Sequence, residues 1–418
     1  AATAALVIAA VVPILVTSQS RQFLYSRIIL MALVALSLTV LTGWAGQLSL
    51  GQFALVGLGG VTTYALFMNQ LQFPIAVVVG ALVSSLAAVV VGLPALRMRG
   101  LFLAVTTLAL AVAAPWLLER PIFETDGQST SVMPRPVIGG LSLTSERSYY
   151  WLCLAVLTVC FIAVARIRRS GFGRALLAVR DNELAASAMG LSPLRIKLAA
   201  FAVAGALAGL SGGLLVGLVQ QFNTTRFNAV ASLDVVAVAV VGGLASIAGA
   251  AIGALVIIGL PAFFPGNPEV ALLTSGAGVL VLLLYFPGGL VQILLNARDG
   301  VFGWLAGRRT PAEPVPRPTA VARQLPDRAP VPAGDTTALS ARGVTVKFGS
   351  RTVLRDVAID VGRGEVVGLI GANGAGKSTL MNAIGGYVRS TGDVAIFGQR
   401  AHGLAAHRRA ALGLGRTF

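Results

Sequence analysis

Apolar runs broken by short polar or glycine-rich stretches fill the first three quarters of the chain. A membrane-spanning helix needs about 20 mostly apolar residues, fewer where it is broken or shielded by protein. On that rule spans are expected near residues 3–17, 28–43, 51–68, 74–96, 101–118, 149–165, 198–219, 230–244, 248–264 and 270–286. The pair at 230–264 is interrupted by the glycine-rich stretch Gly242–Gly249 and reads equally as one long broken helix or as a re-entrant pair, so the count is eight to ten. Beyond residue 306 the pattern changes. Residues 306–338 hold seven prolines in 33 positions and no apolar periodicity, the composition of an extended, semi-rigid tether. After it, Gly343–Phe348 and Val353–Val361 alternate apolar and polar residues as short strands do. Glu365–Ile370 is an apolar strand running into the loop Gly371–Thr379, with Leu380–Val388 helical behind it. The expected architecture is therefore a polytopic α-helical membrane domain of 8 to 10 spans, residues 1–305, a Pro-rich linker, 306–338, and a truncated P-loop α/β domain, 339–418.

Composition agrees with this division. Of 418 residues 56% are hydrophobic and 11% charged, with a mean hydropathy of +0.83, where soluble domains carry about 25% charged residues. A soluble enzyme is excluded as the whole answer. The net charge is +16, but residues 1–305 hold 16 basic and 9 acidic side chains while the shorter remainder holds 16 and 7. Much of the positive charge falls in loops beside membrane spans and no interleaved aromatic-basic motif occurs, so no nucleic-acid partner is expected. Cys153 and Cys160 lie in an apolar run and read as small buried hydrophobes, and His402 and His407 have no cysteine near them that would make a zinc site. Ala1–Val16 is apolar without a basic n-region or cleavage site, and reads as a span whose beginning is cut off rather than as a signal peptide.

Lysine and arginine near span ends stay cytoplasmic. The strongest basic loop runs from Arg166 to Lys197, and counting spans from it places Arg97, Arg99, Arg298, Arg308 and Arg309 on the same side and residues 119–148 outside. Arg21 and Arg27 also fall outside, against the rule. Within the spans, Gly205, Gly209, Gly213 and Gly217 recur every four positions, a stripe that lets another helix backbone approach. The block Gly43–Gln52 places Gln47, Ser49 and Gln52 among apolar residues. Polar groups at membrane depth are costly unless they bond to protein or line a cavity, so these three either line a substrate path or make helix-helix hydrogen bonds. No span centre carries an ionisable residue; Asp234 sits near the start of its span. Proton- and sodium-coupled carriers usually need such a residue, which places the energy source elsewhere.

The loop Gly371–Thr379 is G-x-x-x-x-G-K-S with a threonine after it, between a strand and a helix. Its glycines let the backbone wrap closely enough for amide N–H groups and a helix N-terminus to face phosphates. In this pattern Lys377 reaches the β/γ-phosphates and the Ser378 hydroxyl ligates Mg²⁺. Gly371, Asn373, Gly374, Ala375, Gly376, Lys377, Ser378 and Thr379 are the candidate ATP-binding residues. Phe348, 29 positions before Lys377, could stack on adenine or be a core strand residue.

These blocks resemble a known family. Gly43–Gly51 (GWAGQLSLG), Gly92–Leu103, Ser170–Gly190, Val241–Gly253 and Phe286–Leu290 are similar to the LivM-type permease subunit of branched-chain amino acid ABC importers. Residues 339–418 resemble the start of the LivG-type ATPase of the same systems, through Phe348-Gly349, the Walker A loop and the closing Gly413–Phe418. The resemblance implies a bacterial inner-membrane importer of branched-chain or related small amino acids, with the ATPase in the cytoplasm and a periplasmic binding protein delivering substrate. It implies that Arg180, Asp181, Asn182, Glu183, Ala186 and Gly190 form the coupling segment that docks on an ATPase, where the residues alone read as a solvated basic loop. It implies as partners a LivH-type permease or a second copy of this chain, and a second ATPase domain.

The resemblance also marks what the chain lacks. Such ATPases need a Q-loop glutamine, a signature motif, a Walker B acid and a switch histidine; in this family the glutamine follows an Arg-Thr-Phe like Arg416–Phe418, where this sequence stops. Little or no ATP hydrolysis is expected of the polypeptide alone, and a longer permease-ATPase fusion is the expected parent. A urea or short-amide permease is the alternative within the same superfamily. From another class, the alternative is a channel or secondary carrier with a regulatory nucleotide-binding domain.

Overall fold

A computed structural model describes residues 9, 11–14, 16–95, 101–119, 132–138, 141–267, 269–270, 279–280, 284–286, 288–306 and 337–417. Two units emerge, one of residues 1–177 and 194–303 and the other of 178–193 and 304–418. The spans expected at 3–17 and 270–286, and the tether, lie largely outside the described residues.

The first unit is helical. Its helices are α1 (Gln19–Leu38), which continues through a π-helical turn at Thr39–Trp44, then α2 (Gln52–Met68), α3 (Phe73–Ala95) and α4 (Leu101–Leu118). A short hairpin, β1 (Val137–Ile138) and β2 (Leu141–Ser142), leads into α5 (Glu146–Arg169). Helix α6 (Gly171–Asp181) follows and runs at residue 178 into the second unit, which holds α7 (Glu183–Ala188); the first unit resumes with α8 (Pro193–Val219), α9 (Ala229–Gly242), α10 (Ile247–Ala254, extended as far as Phe263) and α11 (Leu290–Ala306), whose last residues pass into the second unit. Every span expected between residues 28 and 264 coincides with a helix. Among the described residues four of these helices are long and apolar enough to cross a membrane singly. Helices α9 and α10 pass the same test only as a pair, bent by 118° at their junction, while α2 and α4 are shorter apolar helices.

Small residues set the packing. Gly205, Gly209, Gly213 and Gly217 face Ala88, Ser84, Thr63 and Tyr149 so closely that a Cβ on any of them would collide. Side chains that small bring the backbones of α2, α3 and α8 together, which is how helices associate where lipid removes the hydrophobic drive. On the other side of α3, Val78, Leu82, Leu86 and Val90 recur every four residues and stay exposed, an apolar stripe suited to lipid. Helix α1 is enclosed instead, with Leu30 and Ala32 to Leu36 buried between α5 and α10. At the bend, Gly243 adopts φ 115°, a left-handed value open to glycine, and Ser246 caps α10 by accepting from the Gly249 N–H at 3.3 Å. The Trp44 indole N–H donates to the Ala245 carbonyl at 3.0 Å, satisfying a backbone group freed by the break.

The second unit carries β3 (Thr337–Phe348), β4 (Arg351–Gly362), α12 (Lys377–Gly385), β5 (Thr391–Ile396), β6 (Gln399–Arg400) and α13 (Ala406–Ala411). The four strands form an antiparallel sheet in the order β4-β3-β5-β6. Ala341, Val344, Val346, Val394 and Ile396 of the sheet bury against Leu380, Ala383 and Ile384 of α12. The two strands expected at 343–348 and 353–361 are thus the cores of a longer hairpin. The strand expected at Glu365–Ile370 is not formed: the segment is irregular, with Val366 96% and Ile370 97% exposed. A fully apolar strand belongs to a parallel sheet covered on both faces and needs neighbours to receive its backbone hydrogen bonds. Among the described residues no strand lies beside it.

Candidate functional site

The loop from Gly371 to Thr379 is shaped by its glycines. Gly374 and Gly376 take φ values of 88° and 90°, which a residue with a Cβ adopts only under strain. Gly376 is the N-cap of α12, so the first N–H groups of that helix, at Lys377 to Thr379, lack intrahelical acceptors and point out of its positive end. The Lys377 ammonium donates to the carbonyls of Gly371 at 2.6 Å and Ala372 at 2.9 Å. It therefore lies curled back over the first residues of the loop. Asn373, Gly374 and Ala375 are exposed and form the crest. Phe348, at the end of β3, is 53% exposed, so its ring is available to a ligand rather than spent in the core.

Residues outside the motif hold the helix behind the loop. Arg409 of α13 is buried and donates through Nη1 to the carbonyls of Ala383 at 2.8 Å and Ile384 at 2.7 Å, and through Nε to Leu404 at 2.9 Å. A cation on the last carbonyls of α12 satisfies orphan acceptors and complements the negative end of the helix. Burial pushes the Arg409 pKa below its usual value. Arg416 donates to Asn382 Oδ1 at 2.6 Å and stacks over the Tyr387 ring. Burial raises the Tyr387 phenol above its ordinary pKa, against the opposing pull of Arg416. No spacing rule pointed to Arg409 or Asn382, because their partners lie 25 to 34 positions away.

Ala178–Pro193 belongs to this second unit. Within it, Asn182 caps α7 by accepting from the Ala185 N–H at 3.0 Å, Arg180 pairs with Asp181 at 2.9 Å, and α7 packs against α13. Tyr387 Oη donates to the Leu184 carbonyl at 3.5 Å. Ala186 is buried, and Gly190 closes the turn with φ 82°.

In the membrane unit the three polar candidates part company. Gln52 is fully buried, and its amide nitrogen donates to Ser37 Oγ at 2.7 Å and to the Ala204 carbonyl at 3.2 Å, tying α2 to α1 and α8. Ser49 donates to Gln52 Oε1 at 3.5 Å. Gln47 is half-buried and donates to the Ala45 carbonyl at 3.0 Å. Gln52 and Ser49 thus make helix contacts, while Gln47 bonds within its own loop.

A bundle of membrane-length helices and a glycine-shaped phosphate loop on one chain define the class of an ATP-linked transporter subunit. The family profile "Branched-chain amino acid transport system / permease component" matches residues 21–283, and the chain belongs to that family; it is a multi-pass membrane protein. The ABC transporter family profile matches residues 354–414, so the permease is fused to part of an ABC nucleotide-binding domain. The chain is 29% identical over 316 residues to the "High-affinity branched-chain amino acid transport system permease protein LivM" of Salmonella typhimurium, covering 69% of this chain and 74% of that one. It is 28% identical over 287 residues to the protein of the same name from Escherichia coli, covering 62% and 67%. Its last part is 44% identical over 85 residues to a "Probable ABC transporter ATP-binding protein" of Azorhizobium caulinodans, 20% of this chain and 30% of that protein. No solved structure matches the chain.

Proposed function

We propose that the chain is a subunit of an ATP-driven importer of branched-chain or related small amino acids, with permease and ATPase portions joined by the Pro-rich linker, at residues 1–305, 339–418 and 306–338 respectively. The observation that carries this reading is the match of a branched-chain permease family and an ABC transporter family to successive parts of one polypeptide. The protein sits in a bacterial inner membrane with the loop Arg166–Lys197 and the ATPase portion on the cytoplasmic side.

ATP and Mg²⁺ fit the loop geometry described above. The start of α12 offers the free N–H groups of Lys377 to Thr379, Lys377 a cation for the β/γ-phosphates and Ser378 a hydroxyl for the metal; Phe348 offers a ring to the adenine. Hydrolysis of the nucleotide supplies the free energy of transport. Arg180 to Gly190 serve as the coupling segment, a reading supported by the packing of α7 on α13 beside the capped end of α12. The partners are a LivH-type permease or a second copy of this chain, a second ATPase domain and a periplasmic binding protein.

The test is uptake of labelled leucine by cells whose own branched-chain uptake has been deleted and which express the complete transporter. Lys377→Ala is expected to abolish uptake while the protein is inserted at normal levels. Uptake that survives Lys377→Ala and collapses with the ion gradient would instead identify a secondary carrier with a regulatory nucleotide domain.

A further inference from the structure

The membrane unit contains an open-mouthed cavity of about 840 Å³ lined by residues of α1, α2, α8, α9, the extension of α10, and the loop between α8 and α9. Its charged lining has a definite character: Arg27 from α1, Arg226 from the loop and Asp234 from α9. Arg27 and Asp234 are ionisable residues on largely apolar helices, α1 carrying Arg21 besides Arg27, and charge there is costly unless it faces water or function. All three are exposed, and none forms an ion pair with another charged side chain among the described residues. Gln221 and Asn223 complete the polar part of the wall, and the remainder is apolar, with Phe53, Phe227 and Met31 prominent.

The wall is firmly held. Phe227 stacks on Phe222 at 5.3 Å and lies 5.6 Å from Phe53, and Phe222 lies 6.2 Å from Tyr64. Asn223 and Asn228 cap the turns that flank Arg226, accepting from the Thr225 and Ala231 N–H groups at 2.9 Å each. Thr224 donates to Glu119 at 2.8 Å. The cavity lies at the Val219 end of α8, and the basic loop at the Pro193 end. The 27 residues between rise about 40 Å, enough to cross the bilayer. With the basic loop cytoplasmic, the cavity faces the opposite compartment. That placement accounts for Arg27, whose position outside the membrane breaks the positive-inside pattern: it is retained there as part of a site.

We propose that this cavity binds the zwitterionic backbone of a free α-amino acid, Asp234 receiving the ammonium, Arg27 and Arg226 the carboxylate, and the Phe53–Phe227–Met31 wall an aliphatic side chain. Guanidinium groups suit a carboxylate by their paired donors, and an apolar wall beside a few charged groups is the usual form of a small-molecule site. The assignment rests on the import reading and deepens it by placing the first contact of the released substrate with the permease.

The experiment measures equilibrium binding to the full chain in lipid nanodiscs of three probes: L-leucine, 4-methylpentanoate, which lacks the ammonium, and 3-methylbutylamine, which lacks the carboxylate. Asp234→Asn is expected to weaken leucine and 3-methylbutylamine roughly tenfold and to leave 4-methylpentanoate unchanged. The double variant Arg27→Gln with Arg226→Gln is expected to weaken leucine and 4-methylpentanoate by a similar factor and to spare 3-methylbutylamine. No leucine binding to the unaltered chain, no change in either variant, or an equal loss for all three probes would overturn the assignment. Lys377-dependent leucine uptake by the complete transporter is read in parallel. If it holds while the binding pattern fails, only the cavity assignment falls; if it is missing, the import reading falls whatever the cavity binds.

Discussion

Two apolar stretches of this chain meet opposite fates. Ala32 to Leu38 in α1 is buried on all sides, while Val366 and Ile370, as apolar in sequence, stand almost fully in solvent. The difference lies in the backbone. A helix satisfies its own N–H and C=O groups within the segment, so α1 needs from its neighbours only side-chain packing, which α5 and α10 provide. A strand satisfies nothing by itself, and no described strand is placed to pair with 365–370. Apolarity alone does not bury a segment; the hydrogen-bond partners of its backbone decide whether it can be buried.

Three substitutions break or sharpen that contrast. The largest effect is expected at Gly212 in α8, where an added Cβ would run into the Val56 carbonyl of α2. Overpacking against rigid backbone costs about 3 kcal/mol or more, so Gly212→Leu should lower the yield and thermal midpoint of the detergent-solubilised chain sharply. A midpoint like that of the unaltered protein would mean that α2 and α8 do not pack closely at Gly212. An intermediate effect is expected at Gln52, whose amide ties three helices together. Gln52→Leu removes those bonds and leaves a buried carbonyl short of a donor, a loss of about 1–3 kcal/mol, read as a shift in the same unfolding midpoint. The smallest belongs to the exposed stretch: Val366→Thr should change the stability of this chain by less than about 0.5 kcal/mol, and a larger loss would show that the segment is covered in solution.

The membrane helices were legible because each is announced by its own run of apolar residues, and every expected span from 28 to 264 fell on a helix. The break after Gly242 was equally visible, but its 118° bend follows from Gly243, Ser246 and the distant Trp44 acting together. In the block Gly43–Gln52 the polar residues were visible and their partners were not. Ser37 and Ala204 lie 15 and 152 positions from Gln52, and that separation made a helix contact indistinguishable from a path-lining group. Arg21 and Arg27 gave a signal that something beyond packing was present, since both break the charge rule at their end of α1.

By itself the sequence determined whatever is held within a few consecutive residues. It placed the apolar runs that become helices, the glycines at 374 and 376 that permit the loop's left-handed turns, and the lysine set at the mouth of α12. Those features are local because helix hydrogen bonds and turn geometry close over three or four residues. Only the tertiary structure decided which polar groups are satisfied and which face open space, bringing Arg27, Phe53, Arg226 and Asp234 to one cavity and Arg409 to the carbonyl end of α12. The reason is physical: a buried polar group is stable only with a partner, a cavity exists only between elements, and both are supplied by chain segments far apart in sequence.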